Sequence, residues 1–139
     1  MKVLITGGTK GIGAGIVQAF EEAGHEVLPV ARNDAPLCWD VRKAPEDLIV
    51  AAVKHLGGLD VLINNAGGSP PVASATVSDR FTAAIIDLNL TAPMLLAKHA
   101  KAAGAGCVRP RGPPRTARPR RASSTPPAAW RRSGLPRCA

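Results

Sequence analysis

A glycine-rich segment directly after an apolar run constrains the fold of this chain more than any other feature. Residues 6–13 are Thr-Gly-Gly-Thr-Lys-Gly-Ile-Gly. Thr6 is the last residue of the apolar run Lys2–Thr6, and the other seven residues follow it. Glycines between a strand and a helix let the backbone turn sharply and approach a pyrophosphate, while the helix amino terminus supplies free N–H groups and partial positive charge. The spacing of Gly7, Gly11 and Gly13 therefore predicts a nucleotide-binding turn, with a tight turn alone as the alternative.

Patterns typical of strands and helices alternate along the first hundred residues. Apolar runs predict buried strands at 2–6, 27–30, 37–41 and 59–64, and a fifth strand that begins at 106. Pro29 is expected near the end or edge of the second strand. Apolar residues at helical spacing predict helices at 12–23, 45–56 and 79–103, the last capped by Ser78 or Asp79. Strands separated by helices indicate a parallel sheet with right-handed crossovers, so we predict a doubly wound, three-layer α/β fold.

Charge divides the chain near residue 107. Residues 1–106 carry nine Lys and Arg and ten Asp and Glu, whereas residues 107–139 carry nine arginines, no lysine and no acid. We therefore divide the sequence into a domain at 1–108 and an Arg/Pro-rich tail at 109–139.

Three explanations of the tail stay open. They are a disordered basic extension that contacts nucleic acid weakly, an unusual domain end, and a reading-frame shift near Val108. The composition favours the frame shift, because arginine without lysine, together with Pro, Ala, Gly and Ser, is what GC-rich DNA encodes out of frame.

The remaining composition argues against several classes of protein. The three cysteines and three histidines are far apart and form no Cys-x-x-Cys, so no disulfide framework and no metal site are predicted. No uninterrupted apolar run approaches the ~20 residues of a membrane span. The first residues also lack the long apolar core of a secretory signal. We expect a metal-free cytoplasmic protein that does not contact a membrane.

Four ordered motifs resemble the short-chain dehydrogenase/reductase family over residues 1 to about 108. They are Thr6-Gly-x-x-x-Gly11-x-Gly13, Asp40-Val41, Asn64-Asn65-Ala66-Gly67 and, within a predicted helix, Asn89. The resemblance implies a Rossmann-like fold with strand order 3-2-1-4, incomplete at its carboxyl end. It also implies an NAD(P)-dependent oxidoreductase of a carbonyl or alcohol substrate, such as an oxoacyl thioester. Members of the intact family form homo-oligomers, which we do not expect of an incomplete domain.

The resemblance assigns roles to individual residues. Those expected to contact the cofactor are Thr6, Gly7, Thr9, Lys10, Gly11, Ile12, Gly13, Arg32, Asp40, Val41, Asn65, Ala66 and Gly67. Asp40 is expected to meet the adenine amino group, with a loop or helix-cap carboxylate as the alternative. Asn89 resembles the family's catalytic asparagine, which holds a water of the proton relay; an ordinary polar residue in mid-helix is the alternative.

Two cations bear on the choice of cofactor. Arg32 follows the second strand, where NAD-dependent relatives place an acid that would repel a 2′-phosphate. An arginine can instead bind that phosphate, and Lys10 adds a second cation beside Gly11. These residues favour NADP(H). NAD is the alternative, since Asp34 lies close by and both cations could be ordinary surface charges. The short link from Arg32 to Asp40 predicts a loop in place of the family's usual helix.

The catalytic groups of the resembled family are incomplete in this sequence. The family's tyrosine exchanges the substrate proton, and this chain contains no tyrosine. Its last lysine is Lys101, inside a predicted helix. We therefore expect an inactive chain that descends from a reductase, with a catalytically inert nucleotide-binding module and a nucleic-acid-binding protein as rival hypotheses. Without later strands to cover them, Leu88, Leu95 and Leu96 are expected to be partly exposed.

Overall fold

The computed structural model describes residues 1–105, in which strands and helices alternate. In chain order they are β1 (Lys2–Thr6), α1 (Gly11–Glu22), β2 (Glu26–Ala31), β3 (Leu37–Cys38), α2 (Pro45–Leu56), β4 (Val61–Asn64), α3 (Asp79–Ile86) and α4 (Ala92–Ala102). A short 3₁₀ turn spans Ser74–Thr76, and a π-helical turn at Asp87–Thr91 joins α3 to α4. The predicted start of a fifth strand at 106 and the tail at 109–139 lie outside the described residues.

The strands form one parallel sheet in the order β3-β2-β1-β4. Leu4 of β1 is in register with Leu28 of β2 on one side and with Leu62 of β4 on the other. The chain winds outward from β1 to β3 and then crosses back to β4, so the direction of winding reverses between β1 and β4. In such sheets a crevice opens at the carboxyl ends of the two strands that flank the reversal. The predicted parallel, doubly wound α/β fold and its strand order are confirmed.

Helices cover both faces of the sheet. The β2 residues on either side of Pro29 join a buried cluster with Leu48 of α2 and Leu96 of α4. Pro29 points the other way, because side chains alternate along a strand. A Cβ at Gly8 would lie 2.7 Å from Pro29 Cβ and 3.1 Å from Cγ2 of Val17 in α1. α1 therefore packs on the second face, which gives the three predicted layers.

The β2–β3 region differs from the prediction in the length of β3. β3 contains only Leu37–Cys38, because the chain then enters a turn in which the Lys43 N–H donates to the Asp40 carbonyl at 2.8 Å. Pro29 lies within β2 and not at its end, but at a point where β2 is the edge of the sheet, which was the other expected position. It is tolerated there because β3 pairs only with the last two residues of β2, so the missing N–H removes no bond to β3. The expected loop in place of a helix is present between β2 and β3.

The long helix predicted at 79–103 is present as α3, the π-helical turn and α4. Ser78 caps it, since Ser78 Oγ accepts from the Phe81 N–H at 3.2 Å. Pro93 lies inside the helix, where it has no N–H to donate to the carbonyl of Asn89, four residues earlier. The π-helical turn at Asp87–Thr91 immediately precedes Pro93. The backbone of the helix is thus widened around Asn89, as π-helical turns widen helices elsewhere.

The two faces of the long helix differ in exposure. Leu96 is only 1 % exposed, because it lies in the core cluster with residues of α2. The prediction that Leu96 would be partly exposed is therefore wrong. Leu88 is half-buried and Leu95 is 37 % exposed, as expected.

By length and composition alone, the segment Asp79–Ala102 could also cross a membrane. Its most apolar window of 18 residues has a mean hydropathy of 1.2 and is 11 % buried. This finding differs from the expectation that no run approaches a membrane span, yet it is weak evidence, because core helices meet the same criterion. Within this segment Ala92, Leu96 and Ala100 are buried against the rest of the domain, while most of the window is exposed.

Adjacent leucines of α4 offer a test of this packing. Leu96→Ala should lower the free energy of unfolding by about 2–5 kcal/mol, because it leaves a cavity in the core. Leu95→Ala removes the same atoms from an exposed position and should cost less than about 1 kcal/mol. Urea denaturation of both variants measures the difference. Equal losses would contradict the burial of Leu96.

Candidate functional site

The hydroxyl of Thr6 ties the carboxyl ends of β1 and β4 together. Its Oγ1 accepts from the backbone N–H groups of Asn65 and Ala66, at 3.1 Å each, and donates to the Ile63 carbonyl at 3.4 Å. Thr6 is 1 % exposed, so water does not compete for these bonds. This residue supports the site from beneath and does not line it.

The side chain of Asn65 connects the same strand ends to the glycine-rich turn. Its Nδ2 donates to the carbonyls of Thr6 and Gly7, at 3.1 and 3.0 Å. Gly7 has a φ of +68°, a conformation that favours glycine. A Cβ at Gly13, in the first turn of α1, would collide with the Gly7 carbonyl oxygen and with Asn65 Nδ2. The turn, the helix and the end of β4 are therefore packed too closely for a side chain at residue 13.

A cavity of about 420 Å³ opens above this arrangement. Its walls come from the glycine-rich turn, from the ends of β2 and β4, from the Trp39–Arg42 segment and from the long helix. The predicted cofactor residues that line it are Gly7, Thr9, Lys10, Arg32, Asp40, Val41, Ala66 and Gly67. It is also lined by Val30, Ala31, Trp39, Arg42 and Leu88, none of which the sequence analysis assigned to the site.

The other predicted site residues lie close to the cavity without lining it. Thr6, Asn65 and Gly13 form its supporting layer, as described above. Gly11 has a φ of +54° and open space where a Cβ would stand, and Ile12 is 79 % exposed. The structure thus gathers the predicted residues at one edge of the sheet: eight line the cavity, three lie in the supporting layer, and Gly11 and Ile12 stand at the exposed start of α1.

The amino terminus of α1 is open to an anion. Lys10 stands at the N-cap position, makes no side-chain cap bond, and no acidic residue occupies the first turn. The first N–H groups of a helix have no partner within the helix, and the helix dipole adds partial positive charge there. With glycines at positions 11 and 13, a phosphate group can approach these N–H groups closely.

Asp40 forms an ion pair that the sequence analysis missed. Arg42 Nε donates to Oδ1 at 2.9 Å, and Arg42 Nη2 donates to Oδ2 at 2.6 Å. These hydrogen bonds hold the pKa of the Asp40 carboxyl well below its usual range, at about 2. Residues 40 and 42 can pair because the chain turns at 40–43. The sequence pattern predicted a strand at 37–41 and therefore did not predict this turn.

Asn89 lies beside the segment that follows β4. Its Oδ1 accepts from the Gly68 N–H at 2.9 Å, while its Nδ2 donates to the carbonyls of Gly68 (3.0 Å) and Ile85 (2.8 Å). The side chain is thus engaged with backbone groups and joins the long helix to the end of the Asn64-Asn65-Ala66-Gly67 motif. Among residues 1–105, no group of three or more His, Cys, Asp or Glu side chains could hold a metal ion.

Removal of the Thr6 hydroxyl tests the support of the site. Thr6→Val keeps the shape of the side chain but leaves the N–H groups of Asn65 and Ala66 without an acceptor, so it should cost about 2–5 kcal/mol of unfolding free energy. Thr6→Ser keeps the hydroxyl and loses one methyl group, a change of about 1 kcal/mol. Thermal and urea unfolding compare the two variants. Equal destabilisation would show that the hydroxyl is not the critical group.

The sequence matches the family described as short chain dehydrogenase over residues 1–104. A candidate ketoacyl reductase of the granaticin polyketide synthase of Streptomyces violaceoruber is 30 % identical over 128 residues, or 78 % of this chain and 47 % of the relative. L-fucose dehydrogenase of Bos taurus is 36 % identical over 84 residues, or 50 % of this chain and 31 % of the relative. This chain therefore spans about half or less of the length of these relatives.

Solved structures show the same fold. The TT0495 protein of Thermus thermophilus superposes with a TM-score of 0.69 at 31 % identity, over 73 % of this chain and 49 % of that protein. The NADH-dependent reductase A1-R′, solved in complex with NAD, superposes with a TM-score of 0.67 at 27 % identity, over 73 % of this chain and 51 % of that protein.

Proposed function

Because this chain belongs to the short chain dehydrogenase family, a family of oxidoreductases, we propose that its domain binds NADP(H) at the carboxyl edge of the sheet. The observation that supports this proposal most strongly is the cavity itself. The glycine-rich turn, three cations and a carboxylate, contributed by separate parts of the chain, all face one space of about 420 Å³. A space of that size suits part of a nucleotide.

The adenosine end of the cofactor fits the part of the cavity beyond β2. Lys10 and Arg32 both line it, and Arg32 stands directly after β2. Two cations there favour a 2′-phosphate over a free hydroxyl, which is why we propose NADP(H) rather than NAD. Asp40 and Val41 line the same cavity and would meet the adenine base. NAD remains the alternative cofactor, in view of the NAD complex of the reductase A1-R′.

The pyrophosphate fits the open amino terminus of α1. Gly7 and Gly13 are packed against each other, and Gly11 has open space where a Cβ would stand, so a phosphate can approach the backbone at Gly11. The Lys10 side chain is exposed and lines the cavity, so its charge can reach the same anion. Ala66, with its small side chain, and the backbone of Gly67 also line the cavity.

We further propose that this chain derives from an oxidoreductase of a carbonyl or alcohol substrate, such as an oxoacyl thioester. When bound, the nicotinamide cofactor would supply or accept a hydride. Asn89 does not line the cavity but lies beside Gly67 and Gly68, where a widened helix could hold a water of the proton relay. The 139 residues contain no tyrosine to exchange the substrate proton. The chain as given should therefore bind the cofactor without turning over a substrate.

The rival hypothesis of a catalytically inert nucleotide-binding module differs from this proposal only in biological use. Both hypotheses predict that the chain binds the cofactor. The rival idea of a nucleic-acid-binding tail concerns residues 109–139, which lie outside the described part of the chain. The candidate ketoacyl reductase and the L-fucose dehydrogenase among the relatives support carbonyl and alcohol chemistry in general, without favouring one substrate.

The choice of cofactor can be tested at Arg32. In a Trp130→Phe background, Trp39 is the only tryptophan and lines the cavity, so its fluorescence reports binding. Arg32→Ala should weaken NADPH binding about tenfold or more, because a charge-assisted bond to the 2′-phosphate is lost. NADH binding should change little.

Arg80→Ala is the matched control, since Arg80 is an exposed arginine of α3 that does not line the cavity. It should leave both affinities unchanged. Equal losses of NADPH and NADH affinity in Arg32→Ala would contradict a 2′-phosphate contact.

Activity is the second test of the proposal. The full chain with NADPH and a panel of ketones and oxoacyl thioesters should show no change in NADPH absorbance beyond the background. The loss of general acid–base catalysis alone costs about 10²–10⁴ in rate. Steady turnover that Asn89→Ala abolishes would contradict the expected inactivity.

A further inference from the structure

Arg42 holds the Asp40 carboxylate through three donors. The side-chain bonds from Nε and Nη2 reach one carboxylate oxygen each, and the backbone N–H of Arg42 donates to Oδ1 at 3.1 Å. The carboxylate is therefore held in one plane, by a bidentate pair of the kind that fixes direction as well as distance.

A count of acceptor positions shows what remains available. A carboxylate has about four lone-pair positions, two on each oxygen. Both positions on Oδ1 are taken by Arg42, and one of the two on Oδ2 is taken by Nη2. One acceptor position on Oδ2 is left, beside a cavity that Asp40 and Arg42 both line.

The turn that carries this pair is itself fixed. The Lys43 N–H donates to the Asp40 carbonyl at 2.8 Å, and Trp39 Nε1 donates to the Lys43 carbonyl at 2.6 Å. Val41, between the two charged residues, is 6 % exposed and belongs to the core cluster. Because the backbone on both sides of Asp40 is held in place, the carboxylate can change its direction only by rotating its own side chain. That rotation would break its hydrogen bonds to Arg42.

We propose that Arg42 is a positioning residue that makes this site selective for a purine with an exocyclic amino group, by presenting a single acceptor position of Asp40 to that group. The inference rests on the proposed NADP(H) function. An adenine amino group donates to the remaining position on Oδ2, whereas the carbonyl oxygen of hypoxanthine would face an acceptor and be repelled. Arg42 also neutralises the charge of Asp40, which would otherwise repel the phosphates of the cofactor.

An ion pair that only stabilised the turn would not affect which base the site prefers. Base selectivity therefore tests the proposed role of Arg42. Using Trp39 fluorescence in the Trp130→Phe full chain, dissociation constants are measured for NADPH and for its reduced hypoxanthine counterpart, which has the same nicotinamide. The unmodified chain should bind NADPH about tenfold or more tightly than the hypoxanthine counterpart, as expected for a hydrogen bond to a charged group. Arg42→Ala and Arg42→Lys should lower this ratio at least threefold, since neither can hold both oxygens.

Lys43→Ala is the matched control, because it removes the same charge from the same turn while no side-chain bond from Lys43 reaches Asp40. It should leave the selectivity ratio unchanged. Carboxyl NMR provides a second measurement that needs no nucleotide: the pKa of Asp40 should rise from about 2 towards its ordinary value of 3.8 in Arg42→Ala. Asp40 would then begin to lose its anionic form, and with it the adenine preference, at higher pH than in the unmodified chain.

The outcomes separate the two proposals. Tight binding of NADPH with the same base selectivity in Arg42→Ala as in the unmodified chain would overturn the role of Arg42 and leave the proposed function intact. A selectivity that falls equally in Lys43→Ala would also overturn it, since charge alone would then explain the effect. Failure of both nucleotides to bind the unmodified chain would overturn the proposed function together with this inference.

Discussion

The hydroxyl of Thr6 is the group on which the carboxyl edge of this sheet depends. It satisfies two backbone N–H groups after β4 and bonds to the strand itself, in a place that water does not reach. Asn65 then carries the connection to the Gly7 carbonyl, against which Gly13 packs without a side chain. The floor of the cavity is thus one continuous set of hydrogen bonds, and the amino terminus of α1 takes its position from it.

The charge of the cavity is set by the ionised side chains that line it. Lys10, Arg32 and Arg42 approach it from three separate segments, while Asp40 is the one acidic side chain among its lining residues. Because Arg42 pairs with Asp40, the positive charge of Lys10 and Arg32 remains for an anionic ligand. The same pair leaves the carboxylate able to accept one more hydrogen bond, and it is on these two features that the proposed binding of phosphate and selection of the base rest.

Sequence patterns predicted those parts of this molecule that are determined by residues close together in the sequence. The glycine-rich turn, the helix at 45–56 and the Ser78 cap were found as expected, and the strand order followed from the family resemblance. The pairing of Asp40 with Arg42 was missed, because it depends on a turn that shortens β3 to two residues. The burial of Leu96 was missed because it depends on the packing of α2 against α4, which periodicity along one helix does not reveal.

We have proposed that the carboxyl edge of β1 and β4 forms a cofactor site, and amide NMR of the full chain during titration with NADPH is the sharpest test of that proposal. Saturable shifts should appear at the first turn of α1, at Arg32, in the turn at 40–43 and at Ala66 and Gly67, all of which adjoin one cavity. Saturable shifts confined to the separate apolar groove between α2 and α4, lined by Ile49 and His99, or no saturable shifts at all, would contradict it.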